Sequence, residues 1–527
     1  MPVLEAPAGP ASASRGRAAS TVGPALLTLL LLSTAFIGRG VISSDAAEAI
    51  SDTFGLLVTG RLEAATMPPA APDGRSAYAF KSHYGVFPSC LLLPFTVLPW
   101  VLRGRLGAVG LDAGIALAWL AGALLAALAF RKLARQLAPG ASPWWAPAFL
   151  GSTFLWPYAA DSFFEPFAAA GLALAAASLL DGREGRGAWT AALAATAFAG
   201  AALLKPVVWI TAPVFVLAAA LAWRGRPGAI GRLTLFGGLL AAGLVVAWGA
   251  SALRFGGGAN LGYGDEALRF TNPLLAGLWG LLLSPNRGLF LYAPLALVGL
   301  VAIPRAATPA ARLLCVGAPL VLLLTVARFE GWHGGSAWGP RHLLPVLPLV
   351  AAPAVLAGRR LAAAAVAAGF AVNLLGVLVA AGAYISWAER LVPPGGTVWP
   401  PAGPEIVSVV PGLSPVKGHA WLLARSLGLS SASPAARLGA AERQAPPRAA
   451  GYLSPWLVRA VAGLPPVPPT SPAILHRIGL AYALRGDPAT GLPFLKEAVA
   501  LQPGRPGLKE LLRALEAAPR SGPRGPG

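Results

Sequence analysis

The sequence predicts an all-α membrane protein that crosses the bilayer many times, and two observations support this class. Hydrophobic residues make up 56% of the 527-residue chain and Asp, Glu, Lys and Arg together only 12%, about half the roughly 25% found in soluble proteins. The apolar residues also form runs of about 15 to 25 residues, the length that a helix needs to cross about 30 Å of hydrocarbon. The eleven predicted spans are 22–37, 109–130, 143–159, 167–181, 188–204, 207–223, 233–253, 289–303, 313–327, 343–357 and 361–386.

The charged residues are divided unevenly between the two ends of these spans. The chain has 41 basic and 21 acidic residues and a net charge of +20, which in a soluble protein would point to nucleic acid. Here twelve basic residues lie in the short loops on the side of the N-terminal leader, 1–21, and six lie in the short loops on the other side. The positive-inside rule then places the leader in the cytoplasm and the C-terminal tail outside. We therefore expect no nucleic-acid partner.

The run 86–102 is long enough to cross the membrane but contains Pro88, Pro94 and Pro99. Counting it as a span would reverse the charge ratio between the two sides. We therefore interpret it as a proline-broken juxtamembrane or re-entrant segment on the outer face, packed against protein.

Changes in composition mark the boundaries of the predicted domains. After the last span the chain becomes rich in proline, and a later stretch matches the spacing of the tetratricopeptide consensus, a two-helix unit of about 34 residues. A single repeat cannot bury its own apolar face, so we expect the tail to contact a partner or another surface. The predicted regions are a leader 1–21, a membrane domain 22–387 with the first outer loop 38–108, a proline-rich outer region 388–471, a repeat with capping helix 472–517, and a disordered tail 518–527.

Acidic residues before the tail concentrate on the outer side of the spans. In the first outer loop Asp45, Glu48 and Asp52 are spaced by three and four residues, so a helix would place them on one face. Neighbouring negative charge and partial burial raise the pKa of a carboxyl group towards neutrality, which suits a general base. A solvated acidic helix face is the alternative, and the residues alone favour neither.

Two further outer segments carry ionisable residues at the membrane edge. The aromatic corner 156–166 contains Asp161 and Glu165, and ionisable groups at a bilayer boundary are costly enough to indicate function. Lys205 follows the span 188–204, where snorkelling to the interface is the simpler interpretation.

Two glycine-containing outer turns each place an arginine among aromatic residues. They are 284–294 with Arg287 and 330–342 with Arg341. Such an arginine can present a fixed fork of donors to a phosphate, while glycine allows close backbone approach. His333 in the second turn could share proton transfer or hydrogen-bond within the loop. Tight turns with snorkelling arginines would explain either loop alone, but their position on the same face as the acids favours a site.

Together these segments resemble the class C (GT-C) glycosyltransferases that use lipid-phosphate sugars. The nearer likeness is to family 39/83-type enzymes, relatives of protein O-mannosyltransferases and of the lipid A aminoarabinose transferase. It covers roughly residues 20–390. The elements that carry it are the acidic first loop, the proline-bearing segment before the second span, the Trp-Pro-Tyr corner at 156–158 with its two acids, Leu-Leu-Lys-Pro at 203–206, Ser-Pro-Asn-Arg-Gly at 284–288 and Trp-Gly-Pro-Arg at 338–341.

The resemblance implies a GT-C-like bundle of about 11 transmembrane helices in the bacterial inner membrane. Its outward cavity would bind a polyprenyl-phosphate-linked sugar and a glycan, lipid or protein acceptor. Asp45 or Glu48 would be the base that deprotonates the acceptor hydroxyl, with inversion at the anomeric carbon of the sugar. In many relatives the two acids are adjacent, whereas two alanines separate them here, so the choice of base stays open. The resemblance assigns Lys205, Arg287 and Arg341 to the donor phosphate. The substrate-cavity candidates are Asp161, Glu165, His333 and Trp338.

The sequence assigns no metal and no cofactor, because no metal-ligand spacing stands out, and it leaves a divalent cation open. Two other functions are considered. An O-antigen ligase or polymerase-like enzyme also has a late outer loop with Arg and His, but here the loop 329–342 is short. A polytopic lipid-linked-sugar transporter predicts polar groups at mid-membrane depth, of which Asn373 is one of few.

Accessibility labelling tests the predicted orientation. In a chain whose native cysteines are replaced, Arg269→Cys should react with an impermeant thiol reagent from outside, and Lys132→Cys only after the membrane is opened. The reason is that the charge distribution places these positions on opposite faces. Labelling of position 132 from outside would reverse the orientation.

Overall fold

The structure is a computed structural model of the chain. It describes residues 11–37, 44–60, 64–66, 78–80, 85–160, 163–181, 187–258, 269–335, 337–379, 384–385, 414–427, 429, 488–501 and 508–517. These residues are helical except for turns and one short hairpin, so the predicted all-α class is confirmed. The hairpin pairs β1 (Ala64–Thr66) with β2 (Tyr78–Phe80) in antiparallel register, Ala65 opposite Ala79.

The first half of the chain contains the helices that build one side of the bundle. In chain order they are α1 (Ala11–Ile37), α2 (Ser44–Thr59), α3 (Val86–Val101), α4 (Arg103–Leu137), α5 (Trp145–Ser152), α6 (Leu155–Ala160), α7 (Glu165–Leu179), α8 (Gly187–Leu204), the 3₁₀ helix Pro206–Thr211, α9 (Ala212–Trp223) and α10 (Ala229–Phe255).

The second half completes the bundle and adds three tail helices. These elements are α11 (Leu274–Leu282), α12 (Leu289–Tyr292), α13 (Pro294–Ala302), the 3₁₀ helices Ile303–Arg305 and Arg341–Val346, α14 (Pro309–Arg328), α15 (Leu347–Ala351), the 3₁₀ helix Ala352–Leu356, α16 (Arg359–Leu378), α17 (Pro415–Ser426), α18 (Pro488–Leu501) and α19 (Leu508–Ala517).

Helix length separates the predicted spans into two groups. One predicted span is interrupted at a proline: Pro294 begins α13, and a proline disfavours the helical conformation of the residue before it. Ala293 accordingly leaves the helical region, with φ −145° and ψ 70°. Another predicted span divides at Thr153, which is extended. Within the described residues, six helical segments are long and apolar enough to cross a membrane: 113–137, 187–204, 206–223, 229–255, 309–328 and 359–378. The shorter apolar helical segments are 21–35, 86–101, 165–179, 294–305 and 341–356.

Small residues let the central helices approach closely. α7 packs against both α4 and α8, and it is rich in alanine. Gly171 of α7 faces the backbone carbonyl of Ala197 in α8 so closely that a Cβ atom there would collide with it. Glycine and alanine are common at such contacts in membranes, where packing rather than exclusion of water holds helices together.

The proline-bearing segment is one continuous helix, which corrects the expectation that its prolines break it. Pro94 and Pro99 both lie inside α3. Pro99 cannot donate to the carbonyl of Phe95, and that carbonyl instead faces Gly114 of α4, where there is no room for a Cβ atom. α3 therefore folds back against the start of α4, and the neighbouring helix accommodates the backbone irregularity.

Described parts of the tail return to the bundle. Ser414, just before α17, donates its hydroxyl to the carbonyl oxygen of Pro285, 2.9 Å away, and α17 packs against α16. Phe494 of α18 packs against an apolar cluster formed by α2, α3 and α4. The remainder of the proline-rich region 388–471, and the first part of the predicted repeat, lie outside the described residues. The tetratricopeptide assignment therefore stays a prediction.

Asn373 is a fully buried polar residue inside α16 that joins three backbone segments. Its Nδ2 donates to the carbonyl oxygens of Tyr292 and Gly369, both 2.8 Å away, and its Oδ1 accepts from Nε1 of Trp338 at 3.1 Å. A buried amide with donors and acceptor all bonded is tolerated within an apolar bundle. It thereby holds the loop that contains Trp338 against the helices.

We expect Asn373→Leu to destabilise the protein by about 1–3 kcal/mol, because the indole N–H of Trp338 and the carbonyl of Tyr292 lose their bonds to this side chain in a buried site. Thermal unfolding in detergent measures the change. Thr196→Val is the matched control, since the Thr196 hydroxyl is exposed and bonds only to carbonyls of its own helix. Equal melting temperatures for Asn373→Leu and the wild type would contradict the structural role.

Candidate active site

One buried carboxylate holds two cations at the end of the bundle where α7 begins and α8 ends. Glu165, in the first turn of α7, is 1% exposed. Its Oε1 lies 2.7 Å from Nζ of Lys205 and 3.6 Å from Nε of Arg341. The three side chains come from the start of α7, the residue after α8 and the start of a 3₁₀ helix. We call these three residues the polar cluster.

Local sequence explains why each charge lies at a helix terminus. The N-terminus of α7 carries partial positive charge, which favours a carboxylate in its first turn, and the C-terminus of α8 favours Lys205. Pro166 and Pro206 begin new helices there, because the first turn needs no proline N–H. Arg341 places its guanidinium over the ring of Phe163, with Cζ 4.7 Å from the centroid, a stabilising cation–π contact.

The polar cluster is close to the surface but mostly withdrawn from water. The side chains of Lys205 and Arg341 are 15% and 14% exposed. Charges interact more strongly at such a site than on an open surface, because water screens them less. An anion that entered beside the two cations would be attracted more strongly for the same reason.

Arg287 holds the loop that follows α14. Its side chain is buried, and its two terminal nitrogens donate to the backbone carbonyls of Ala337 and Gly335. Gly334, Gly335 and Gly339 have φ of +72°, +67° and +68°, a backbone region that suits glycine and strains other residues. Arg287 thus fixes the path of a sharply turning loop, and its predicted contact with a donor phosphate stays a prediction.

The turn that carries Arg287 is held by hydrogen bonds among its own residues. The Ser284 hydroxyl accepts from the backbone N–H of Asn286 at 3.1 Å and of Arg287 at 3.3 Å. Gly288 donates its N–H to the carbonyl of Ser284 at 2.7 Å. Tyr292 donates its hydroxyl to the carbonyl of Asn286 at 2.9 Å. The Ser-Pro-Asn-Arg-Gly segment is therefore a preformed turn.

His333 lies among the cations of this loop. Its Nδ1 accepts a hydrogen bond from the N–H of Gly335 at 3.1 Å, which requires that nitrogen to be unprotonated. Burial among the loop atoms, and then the charges of Arg287 and Arg341, lower the pKa of His333 to about 3. The imidazole is therefore neutral near pH 7, and Nε2 is its donor.

Trp338 anchors the same loop to the bundle and is fully buried. Beyond its bond to Asn373, its ring meets Tyr292 edge-on with centroids 5.2 Å apart. The ring of His419 of α17 also meets it edge-on, with centroids 4.5 Å apart. The aromatic ring that the sequence suggested for a substrate cavity thus contacts protein on several sides. Its position links the loop to α16 and to the tail.

The helix α2 carries the predicted general base to the same end of the bundle. Asp45 lies in its first turn, although the side chain is outside the described residues, and Glu48 is half-buried one turn later. The apolar face of α2 belongs to one cluster with Phe164 and Leu204, which directly precede Glu165 and Lys205 in the chain. That face consists of Ala46, Ala49, Ile50, Phe54 and Val58. The remaining acid candidate, Asp161, lies outside the described residues.

Sequence reasoning missed the role of one acidic residue and its partner. Asp52 of α2 is fully buried and forms an ion pair with Arg254 in the last turn of α10. From the sequence, Asp52 was a member of an acidic face and Arg254 one of six outer basic residues. The sequence feature that could have predicted this ion pair is Arg254 itself, because a charged residue in the last turn of an apolar helix needs a partner.

An apolar groove lies beside the polar cluster. It has a volume of about 120 Å³ and runs between the start of α3, the end of α8 and the last turns of α10. Leu204 and Pro206, the neighbours of Lys205, line it together with Phe87 and Trp248. Among the described residues, no group of three or more His, Cys, Asp and Glu side chains could hold a metal ion.

Comparison with known proteins gives two structural likenesses at low identity. No protein-family model matches the chain, and no curated protein sequence matches it. The chain is similar to the crystal structure of ArnT from Cupriavidus metallidurans bound to undecaprenyl phosphate, at 15% identity and a TM-score of 0.48, over 93% of this chain and 84% of that one. For ArnT from the same organism in the apo state, the identity is 15%, the TM-score 0.45 and the coverage 94% and 76%.

The lowered pKa of His333 predicts a pH effect on stability. Between the folded-state pKa and the unfolded value near 6.5, the unfolded chain binds the additional proton, so stability falls as the pH drops below about 6.5. Unfolding followed at pH 7.5 and pH 5 should therefore show a smaller acid-induced loss for His333→Gln than for the wild type. Equal losses in the two proteins would mean that His333 is not held neutral.

Proposed function

We propose that the protein is a membrane glycosyltransferase with a GT-C-like fold, which transfers a sugar from a polyprenyl-phosphate donor to an acceptor hydroxyl. The observation that carries this proposal is the polar cluster, in which Lys205 and Arg341 share the carboxylate of Glu165 at one end of an apolar bundle. The donor combines an anionic phosphate with a long apolar chain. The site offers paired cations and, directly beside Lys205, an apolar groove.

Lys205 and Arg341 hold the donor phosphate in this proposal. When the sugar leaves, the phosphate gains negative charge, and cations held in place stabilise that charge without needing to reorganise. Glu165 is the internal counter-ion that accompanies the cations before the donor arrives, because two buried cations without an anion would be costly. The donor phosphate then takes over part of this pairing.

The acceptor is activated from α2. Asp45 or Glu48 takes the proton of the acceptor hydroxyl, and the oxygen attacks the anomeric carbon of the sugar. The bond between that carbon and the phosphate oxygen breaks as the new bond forms. The electron pair leaves with the lipid phosphate, and the anomeric configuration inverts. Glu48 is half-buried one turn after Asp45 on the same helix.

Arg287, His333 and Trp338 support the site through the loop after α14. Arg287 fixes the loop by its bonds to Gly335 and Ala337, and its charge adds to the cationic field around His333. The neutral His333 offers an N–H to a sugar or phosphate oxygen. Trp338 holds the loop against the bundle. Asp161, which lies outside the described residues, stays a candidate for the substrate cavity from the sequence alone.

The charge distribution supports an inner-membrane location with this site on the periplasmic face. Arg224, Arg226 and Lys132 lie at the opposite end of the bundle from the polar cluster, consistent with the positive-inside rule. A glycan, a lipid or a protein is the acceptor, and the tetratricopeptide-like tail is the candidate contact for a protein partner.

The test of this function is a carboxylate substitution in α2. Asp45→Asn should lower sugar transfer by at least roughly 10²-fold, because loss of a general base typically costs that much, while membrane insertion and melting temperature stay as in the wild type. Mass analysis of envelope glycans in a deletion strain identifies the sugar and acceptor. Transfer is then measured with purified protein in vesicles that contain the donor lipid.

Two companion variants sharpen this test. Glu48→Gln distinguishes which of the two acids is the base, since only the base should give the large loss. Glu330→Gln is the control, because Glu330 pairs with Arg269 at 3.7 Å on a more exposed surface and should retain transfer. Wild-type rates in both Asp45→Asn and Glu48→Gln would contradict the proposed catalytic helix.

A further inference from the structure

The ion pair between Asp52 and Arg254 lies outside the proposed chemistry. The side chain of Asp52 is fully buried and that of Arg254 is 4% exposed, and an arginine nitrogen bonds directly to the carboxylate. The residues come from α2 and from the last turn of α10, 202 positions apart in the chain. Removing two charges from water is costly, so a pair at this depth needs a role beyond surface attraction.

The apolar contacts of α2 do not fix its rotation by themselves. Its apolar face packs into the cluster with Phe164 and Leu204, but apolar contacts are non-directional and allow a helix to slide or rotate. One directional contact joins α2 to α3, where the Thr53 hydroxyl donates to the carbonyl of Ser89 at 3.2 Å. The link to Arg254 is a directional contact that ties α2 to the membrane-length helix α10.

Asp52 shares a helix face with the candidate bases. It lies seven residues after Asp45 and four after Glu48, spacings that return to the same side of a helix. The separation of Asp52 from Asp45 along the axis is about 10 Å, at 1.5 Å per residue. A rotation or shift that moved Asp52 would therefore displace both candidate bases in the same direction.

We propose that the Asp52–Arg254 pair is a positioning device that fixes the rotation and depth of α2, and with them the place of the catalytic carboxylate. The inference rests on the proposed function for its kinetic consequence. Arg254 suits this role because the C-terminal end of α10 favours a cation. The planar guanidinium also donates hydrogen bonds to a carboxylate in a restricted orientation.

The test separates positioning from stability. Replacing both partners by apolar residues of similar size, Asp52→Leu with Arg254→Met, removes the charges together and leaves no uncompensated charge, so the melting temperature should stay at or above that of the wild type. The kcat for sugar transfer should fall roughly 10²-fold, as expected for a displaced catalytic group, while the KM for the donor stays near the wild-type value. Arg254→Lys, which keeps the charge, should retain more of the kcat than the double variant.

A matched control uses an ion pair in the tail. Lys496 and Glu516 lie 3.1 Å apart and are 58% and 43% exposed, so Lys496→Met with Glu516→Leu should leave kcat and melting temperature unchanged. Wild-type kcat in the buried double variant overturns the proposal. So does a kcat loss that only follows the fraction of folded protein, because that result assigns the pair a purely structural role.

Hydrogen exchange provides a readout that does not depend on activity. In lipid nanodiscs, backbone amides of α2 should exchange faster in the buried double variant than in the wild type, while those of α7 and α8 are unchanged. If the wild type transfers no sugar, the proposed function fails, yet this comparison still decides whether the pair holds α2. Unchanged exchange in α2 overturns the positioning role.

Discussion

The polar end of this protein depends on the ion pairs that the carboxylate of Glu165 forms with Lys205 and Arg341. This carboxylate joins the start of α7, the end of α8 and the 3₁₀ helix that begins at Arg341, three segments that are distant in the chain. The surrounding bundle is apolar and cannot solvate the charges of Lys205 and Arg341. The buried carboxylate of Glu165, which both cations contact, therefore helps to set their positions.

The cost of burying an unpaired charge acts throughout the membrane domain. Charges are few in the helices, and described buried ones such as Asp52 and Arg254 are paired directly. Arg287 instead bonds to loop carbonyls, and Asn373 uses its amide on three partners. These contacts link the loop after α14, the acidic helix α2 and the bundle into one arrangement. The proposed binding of an anionic lipid at the membrane edge would require such a framework, because mobile charges would lose their orientation there.

Sequence patterns predicted the fold class better than the partners of individual residues. Apolar run length predicted the helical class, and the outer-face position of the segment 86–102 stays a prediction. The prolines of this segment do not break the helix α3. The reason is that Gly114 of a neighbouring helix makes room for the freed carbonyl of Phe95, and a local pattern contains no information about that neighbour. Likewise, glycine and arginine predicted an anion-binding turn, which stays a prediction, but the sequence did not indicate that Arg287 bonds to the carbonyls of Gly335 and Ala337.

By itself the sequence determined that this is a helical membrane protein, and it predicted that its acids and glycine-rich loops lie on one side. Those properties follow from the composition and residue spacing of short segments, which can be read locally from the sequence. Only the tertiary structure decided that Glu165 binds Lys205 and Arg341, and that Asp52 is buried against Arg254. Ion pairs between segments depend on how apolar helices pack, and packing is set by shape and volume across the whole bundle. A sequence pattern identifies which residues carry charge, while the fold decides which of them meet.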